Sequence, residues 1–157
     1  MSIESVRLFL AQHAPELAII DQGRSTATVV EAAETLGVLP GQIAKTLAVR
    51  VGEAVVLVVA RGDARLDNRK CKDRFGARPR MLGHEETATL TGHPVGGVCP
   101  FGLTTPLHVY CDDSLKDFDI VYPAAGSRTA SVAVSPHRLA ELTGATWVDV
   151  CQPPPGS

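Results

Sequence analysis

The chain has 157 residues, 45% of them hydrophobic and 20% charged, and a formal net charge of −2. Length and balance predict one soluble globular domain whose core needs no disulfide or metal staple. No apolar run approaches the roughly 20 residues of a membrane span, and the N-terminus lacks a basic-then-apolar leader pattern, so a cytoplasmic location is expected.

Ser2 to His13 reads as a first helix, N-capped by Ser2, with Val6, Phe9 and Leu10 on one face and Pro15 as its stop. Leu17 to Ile20 is a short apolar strand. Thr28 caps a second helix, Val29 to Leu36, which Gly37 ends. Ile43 to Val49 and Ala54 to Ala60 form a β-hairpin around Val51-Gly52-Glu53, and the second strand is apolar on both faces, so it belongs in the middle of a covered sheet. Leu66 to Phe75 is a basic helix, capped by Asp67 or Asp63 and ended by Gly76. His84 to Leu90 is a further helix with Glu85 and Glu86 in its first turn. Strands follow at Pro106–Cys111, Phe118–Tyr122, Thr129–Val134 and Thr146–Val150. Asp112 to Asp117 is a turn or helical bend, and a helix capped by Ser135 runs from Pro136 to Thr143 before Gly144. Residues 1–151 make the domain, and 152–157, with three prolines, read as a disordered tail. The pattern of about seven strands without regular β-α-β alternation predicts a mixed α/β domain with a largely antiparallel, barrel-like sheet flanked by helices.

Three features carry chemical information. Lys45 shares the alternation phase of Ile43, Leu47 and Val49, so it points toward a side they bury, where an unpaired charge is costly. Arg61, Arg65, Arg69, Lys70, Lys72, Arg74, Arg78 and Arg80 put eight of the fifteen basic residues into one short segment, opposed there only by Asp63, Asp67 and Asp73. A local basic patch on an otherwise acidic body suits a partner with a small, discrete negative site, although a solvated helix face gives the same pattern. The third feature is the stretch from Thr91 to Gly102, with four glycines and two prolines. Such a loop is neither helix nor strand, and its apolar Val95, Val98 and Phe101 keep it from being a solvated linker. It can bring backbone N–H groups close to a ligand, or simply make a tight turn.

Other chemistries find less support. Cys71, Cys99, Cys111 and Cys151 contain no C-x-x-C pair, so a zinc ribbon or redox motif is unsupported and the thiols read as buried small side chains. No ligand pair among the cysteines and five histidines has standard metal spacing. Cys99 with His93 or His108 resembles the start of a nucleophile–base arrangement, but nothing demands the third, orienting group.

Thr26 with Glu31-Ala32-Ala33 and Leu36-Gly37-Val38, Ile43-Ala44-Lys45-Thr46-Leu47, and Val95-Gly96-Gly97-Val98-Cys99-Pro100-Phe101-Gly102 occur in an order and spacing that resembles the YbaK/EbsC family of aminoacyl-tRNA deacylases. That family is related to the editing domain inserted in bacterial prolyl-tRNA synthetase. Leu66-Asp67 and Gly126-Ser127-Arg128 fit as well, and the resemblance spans nearly the whole chain. It implies hydrolysis of the ester between a wrong amino acid and tRNA, without a metal or other cofactor. Attack would come from water or a substrate hydroxyl. Lys45 matches the lysine that engages the 3′-terminal adenosine, and Gly96 to Pro100, including Gly97, Val98 and Cys99, matches the loop around the scissile ester. Thr26 and Thr46 match pocket positions, and Thr28, Ala124, Ser131 and the second-loop residues Gly126 and Arg128 are expected to bind substrate with them. Departures fall at Thr28, where some members carry an aromatic, and at Ala124 and Ser131, where some carry serine and aspartate. A small amino acid of the alanine, serine, threonine or cysteine class is the expected target.

The residues support that expectation on their own terms. Amides around Gly96, Gly97 and Val98 can form an oxyanion site, and Lys45 offers a point charge for phosphate or hydroxyl. Arg65, Arg69, Lys70 and Lys72 can meet acceptor-stem phosphates without reading sequence. A synthetase pocket rejects a smaller or isosteric amino acid poorly, so a second sieve is needed. The alternative is a non-catalytic module that binds the tRNA 3′ end or an aminoacyl-tRNA synthetase.

Overall fold

A computed structural model describes residues 2–154. Helix α1 (Ser2–His13) is followed by strand β1 (Ile19–Asp21), helix α2 (Val29–Leu36) and a 3₁₀ turn at Pro40–Gln42. The hairpin β2 (Ile43–Val51) and β3 (Ala54–Arg61) leads to β4 (Arg65–Leu66), α3 (Asn68–Phe75), β5 (Arg80–Met81) and α4 (His84–Thr91). After the glycine-rich loop come β6 (His108–Asp112), a 3₁₀ turn (Asp113–Asp117), β7 (Tyr122–Pro123), β8 (Ala130–Val132), α5 (Pro136–Thr143), β9 (Thr146–Val148) and β10 (Cys151–Gln152).

The helix ends follow local chemistry. The Thr28, Asp67 and Ser135 side chains each accept the amide three residues on, and Gly37, Gly76 and Gly144 end their helices in the left-handed conformation. The basic helix therefore begins at Asn68. Leu66, expected in that helix, lies instead in a strand pair with Cys151. Gln152 pairs with Arg65 in the same ladder, so the ordered chain runs past the expected boundary at 151; residues 155–157 of the expected tail lie outside the described residues.

The main sheet runs β5-β2-β3-β6-β9, with β7 added on β2. The β2–β3 and β2–β5 pairs are antiparallel, whereas β3–β6, β6–β9 and β2–β7 are parallel. The sheet is thus mixed and open, and this corrects the expectation of a largely antiparallel, barrel-like one. Two smaller ladders, β1–β8 and β4–β10, sit beside it. The strand expected at Phe118–Tyr122 shrinks to Tyr122–Pro123, because Phe118 instead closes the preceding 3₁₀ turn and packs its ring 4.9 Å from the Arg61 guanidinium.

β3 is central, as its doubly apolar sequence requires. Leu57 and Val59 face a large core shared with Val6 and Leu10 of α1, Leu139 of α5 and Phe101 of the loop. Val56 and Val58 face a smaller core with Val49, Cys71 of α3 and Val150. On β2 the same alternation sends Ala44 and Ala48 to the large core and Leu47 and Val49 to the smaller one. Thr46 therefore shares a face with α1 and α5, and Lys45 shares a face with α3.

Candidate functional site

The site begins with a break in a strand edge. β3 covers one edge of β2 from Ala44 to Val51. Among the described residues the other edge is covered only toward its ends, by β7 opposite Ile43 and Ala44 and by β5 opposite Val49 and Arg50. Ala48 accepts a bond from the Leu82 amide at 3.1 Å, so its polar backbone groups point to this second edge. Alternate residues of an antiparallel strand turn their N–H and C=O to the same edge, so Thr46 presents both groups to the gap. A cavity of about 340 Å³ opens there. The Thr46 hydroxyl is buried in its wall with no hydrogen-bond partner among the described residues.

Lys45 also lines this cavity, half-buried. Its ammonium donates to the Gly62 carbonyl at 3.1 Å and to the Ala64 carbonyl in the turn after β3. An ammonium has three donors, and the third has no partner among the described residues. Burial holds the Lys45 pKa below its ordinary 10.5, while Cys151 and Asp63 pull it back up.

The glycine loop forms another wall through Gly96 and Val98. Gly96 has φ +90°, and a Cβ there would stand 2.9 Å from Ala27 Cβ and 3.2 Å from Arg128 Cγ. Gly97 is packed so closely that a Cβ would meet the Ser127 backbone at 2.8 Å. The Gly97 amide donates to the Pro94 carbonyl at 2.9 Å, which removes it from the set of oxyanion donors. The amides of Gly96 and Val98 carry no such bond among the described residues.

Thr26 and Thr28 line the opposite rim beside the start of α2. Thr28 is also the helix cap, so its hydroxyl oxygen already accepts the Glu31 amide at 3.1 Å. The Thr26 amide donates to the Arg128 carbonyl at 2.7 Å and its hydroxyl reaches the same oxygen at 3.2 Å. Arg128 in turn donates from Nε to the Val95 carbonyl at 2.9 Å. It is a clamp between the two loops and does not line the cavity. Gly126 does not line it either: its amide donates to the Gly97 carbonyl at 3.1 Å, and a Cβ there would meet Ser2 of α1 at 2.8 Å. Ala124 and Ser131 do line it, held opposite one another by an antiparallel bridge.

Two members of the loop face the other way. Cys99 is fully buried and its thiol, pushed up to about 12 by burial, donates to the Phe101 carbonyl at 3.7 Å. Pro100 is buried toward Phe9 and Leu103. Neither joins Lys45. The sequence pattern reads the loop as one unit, whereas alternating residues of a tight loop have different neighbours.

The basic segment is similarly divided. Lys70 is held by the Asp149 carboxylate and the Cys151 carbonyl, both at 2.9 Å. Arg61 is paired with Asp63 and Asp117. Arg65, Arg69 and Lys72 are exposed and form no ion pair among the described residues.

Fold, cavity and loop together invite comparison with known proteins. Residues 24–142 match the family described as the aminoacyl-tRNA editing domain. The chain belongs to that family. This editing domain is 46% identical over 154 residues to the uncharacterised protein YwhH of Bacillus subtilis (strain 168), covering 97% of the chain and 98% of YwhH. A solved structure described as a proposed trans-editing enzyme for prolyl tRNA synthetase is similar over 97% of the chain and 98% of its own, with TM-score 0.88 and 33% identity. The proline–tRNA ligase of Trichlorobacter lovleyi is 35% identical over 98 residues, covering 59% of this chain and only 17% of the ligase.

The editing domain's cavity also contains Tyr122, Met81 and His84, which no sequence signal marks. Tyr122 and Met81 come from two-residue strands, too short to show an alternation. His84, the first residue of α4, reads in sequence only as a helix start. Among the described residues no helix is long and apolar enough to cross a membrane, and no cluster of three or more histidine, cysteine or acidic side chains is placed to hold a metal ion.

Proposed function

We propose that the chain hydrolyses the ester of tRNA mischarged with a small amino acid of the alanine, serine, threonine or cysteine class, as a free-standing editing enzyme. The gap in the edge of β2, walled by Lys45, Thr46, Gly96 and Val98, carries the reading. At about 340 Å³ the cavity lies at the small end of the roughly 300–1,000 Å³ of ligand sites. This favours a single aminoacylated nucleoside at the end of a chain.

In this reading the third N–H of Lys45 binds the ribose or phosphate of the terminal adenosine. The Gly96 and Val98 amides stabilise the negative charge that develops on the ester oxygen. An ester is already activated, so a positioned water or a substrate hydroxyl is a sufficient nucleophile. Thr26, Ala124, Ser131 and Tyr122 bound the space for the amino acid. Size exclusion by such walls is effective against larger residues, which gives an editing site its selectivity. The kinship with proline–tRNA ligases makes a synthetase a reasonable partner in this scheme, alongside the tRNA acceptor end.

Incubation with tRNAs carrying alanine, serine, threonine or cysteine tests the reading. Ester loss above the buffer rate is expected for at least one. Lys45→Ala is expected to lower that rate at least about 100-fold, a size common for the loss of one charge-stabilising donor. Because the variant also strips a donor from two carbonyls, its melting temperature must be followed in parallel. Salt-sensitive tRNA binding with no hydrolysis would favour a non-catalytic module instead.

A further inference from the structure

A second pocket of about 320 Å³ adjoins the first and shares two of its residues, Lys45 and Met81. We propose that it receives the penultimate nucleotide of the tRNA 3′ end, a cytidine, while the terminal aminoacyl-adenosine occupies the first. The inference rests on the editing reading and deepens it.

Its lining suits a nucleotide. Leu47, Leu66 and Pro79 supply apolar surface, and Met81, 60% exposed, stands on the ridge between the cavities. A polarisable thioether and apolar side chains can pack against the face of a base. Asn68 offers an amide with both donors and an acceptor for a base edge. Arg65 offers a planar fork for a phosphate. No carboxylate lines the pocket among the described residues. The phosphodiester that joins the two nucleosides would cross the ridge beside Lys45 and Arg65, two cations close enough for Arg65 to depress the Lys45 ammonium.

The wall is also built to stay in place. Arg65 and Leu66 are fixed by their ladder with Gln152 and Cys151, and Asp67 next to them caps α3 through the Lys70 amide at 3.0 Å. The two rim groups, Arg65 and Asn68, are exposed and engage no side-chain partner among the described residues. An exposed arginine and asparagine at the mouth of a largely apolar pocket that adjoins the first suit a ligand carrying both a phosphate and a base.

The test compares two small substrates, the 3′-alanyl (or the best amino acid) esters of adenosine and of the dinucleotide cytidylyl-adenosine. For wild-type protein kcat/KM is expected to rise about tenfold with the added nucleotide, the size of one base contact. Asn68→Ala should leave the adenosine ester unaffected and lose most of that gain. Arg65→Ala should lose it too, and a dinucleotide with an abasic first position should fall between the two substrates. Asn68 is an exposed first residue of α3 and its removal keeps the Asp67 cap, so an unchanged melting temperature is expected. If wild-type protein hydrolyses both esters equally, or if both variants keep the full gain, the second pocket is not the nucleotide site, while the editing reading stands. If wild-type protein hydrolyses neither these esters nor any mischarged tRNA, the editing reading fails and this inference falls with it.

Discussion

The loop from His93 to Phe101 has two sides of opposite chemical character. One side presents only glycine and valine, Val95, Gly96 and Val98, to an accessible cavity beside Lys45. The other gathers a thiol, an imidazole and a carbonyl: Cys99 Sγ lies 3.5 Å from His93 Nε2, which lies 2.7 Å from the Phe101 oxygen. By residue type the second side is the reactive one. Yet His93, Cys99 and Phe101 are all fully buried. A carbonyl oxygen only accepts, so Nε2 must carry the proton and cannot take one from Cys99. Burial lowers the His93 pKa, against the pull of the Phe101 carbonyl, and raises the Cys99 thiol to about 12. Nucleophile and base are both held in their unreactive forms. Access and backbone donors, not side-chain reactivity, separate a site from a packed node.

The largest effect on this contrast is expected from Gly97→Ala. The added methyl would press on the Ser127 backbone at 2.8 Å, and neither strand of backbone is a flexible side-chain end. The two loops must part, and Gly96 and Val98 must move relative to Lys45. Deacylation is expected to fall about 100-fold, the usual consequence of misplacing donors by roughly 1 Å. Overpacking should also lower stability by about 1–3 kcal/mol, visible in the melting temperature. Activity at the wild-type level in a folded Gly97→Ala protein would detach the open side of the loop from the chemistry.

Cys99→Ala probes the closed side. Loss of a fully buried sulfur should cost about 1–2 kcal/mol of stability and leave the deacylation rate within about twofold of wild type. In native protein at pH 8, a thiol with a pKa of about 12 is ionised only to roughly one part in 10⁴. Iodoacetamide should therefore leave Cys99 unmodified until the protein is unfolded, as mass spectrometry can follow. Abolition of activity by Cys99→Ala without unfolding, or rapid native alkylation at Cys99, would reverse the assignment of the two sides.

The sequence made part of this arrangement legible. Caps at Thr28, Asp67 and Ser135 and the long β2–β3 hairpin were readable because each signal is local: a hydroxyl or carboxylate three residues before an amide, or an alternation sustained over seven residues. Lys45 stood out because a charge broke that alternation. The gap itself was not readable. It is defined by β5 and β7, two residues each, and by their distant pairing with β2. Two residues carry no period, and a parallel neighbour such as β6 beside β3 leaves no turn signal to mark it. A count of strands favours an antiparallel, barrel-like sheet only because the pattern does not name each strand's partner. The glycine loop showed its stiffness in sequence, but which of its residues face inward depends on Ser127, Arg128 and α1, all far away along the chain.

The smallest effect is the most discriminating for the open side. Thr46, in the cavity wall, keeps a buried hydroxyl without a partner among the described residues, beside backbone groups that face the gap. A hydroxyl withdrawn from water and left unpaired costs about 1–3 kcal/mol, so Thr46 weakens the protein by itself. Valine has nearly the same shape and also favours a strand. Thr46→Val is therefore expected to stabilise the free protein by about 1 kcal/mol, or roughly 2–4 °C in melting temperature for a domain of this size. If the proposed deacylation draws on this hydroxyl, the same change should raise KM several-fold, because it removes a hydrogen bond formed only on ligand binding. The opposite signs matter more than the sizes. A merely structural hydroxyl would lower stability on removal, and an irrelevant one would leave KM alone. A gain in stability coupled to a loss of affinity is the signature of a polar group kept unsatisfied in the free protein for the sake of a ligand.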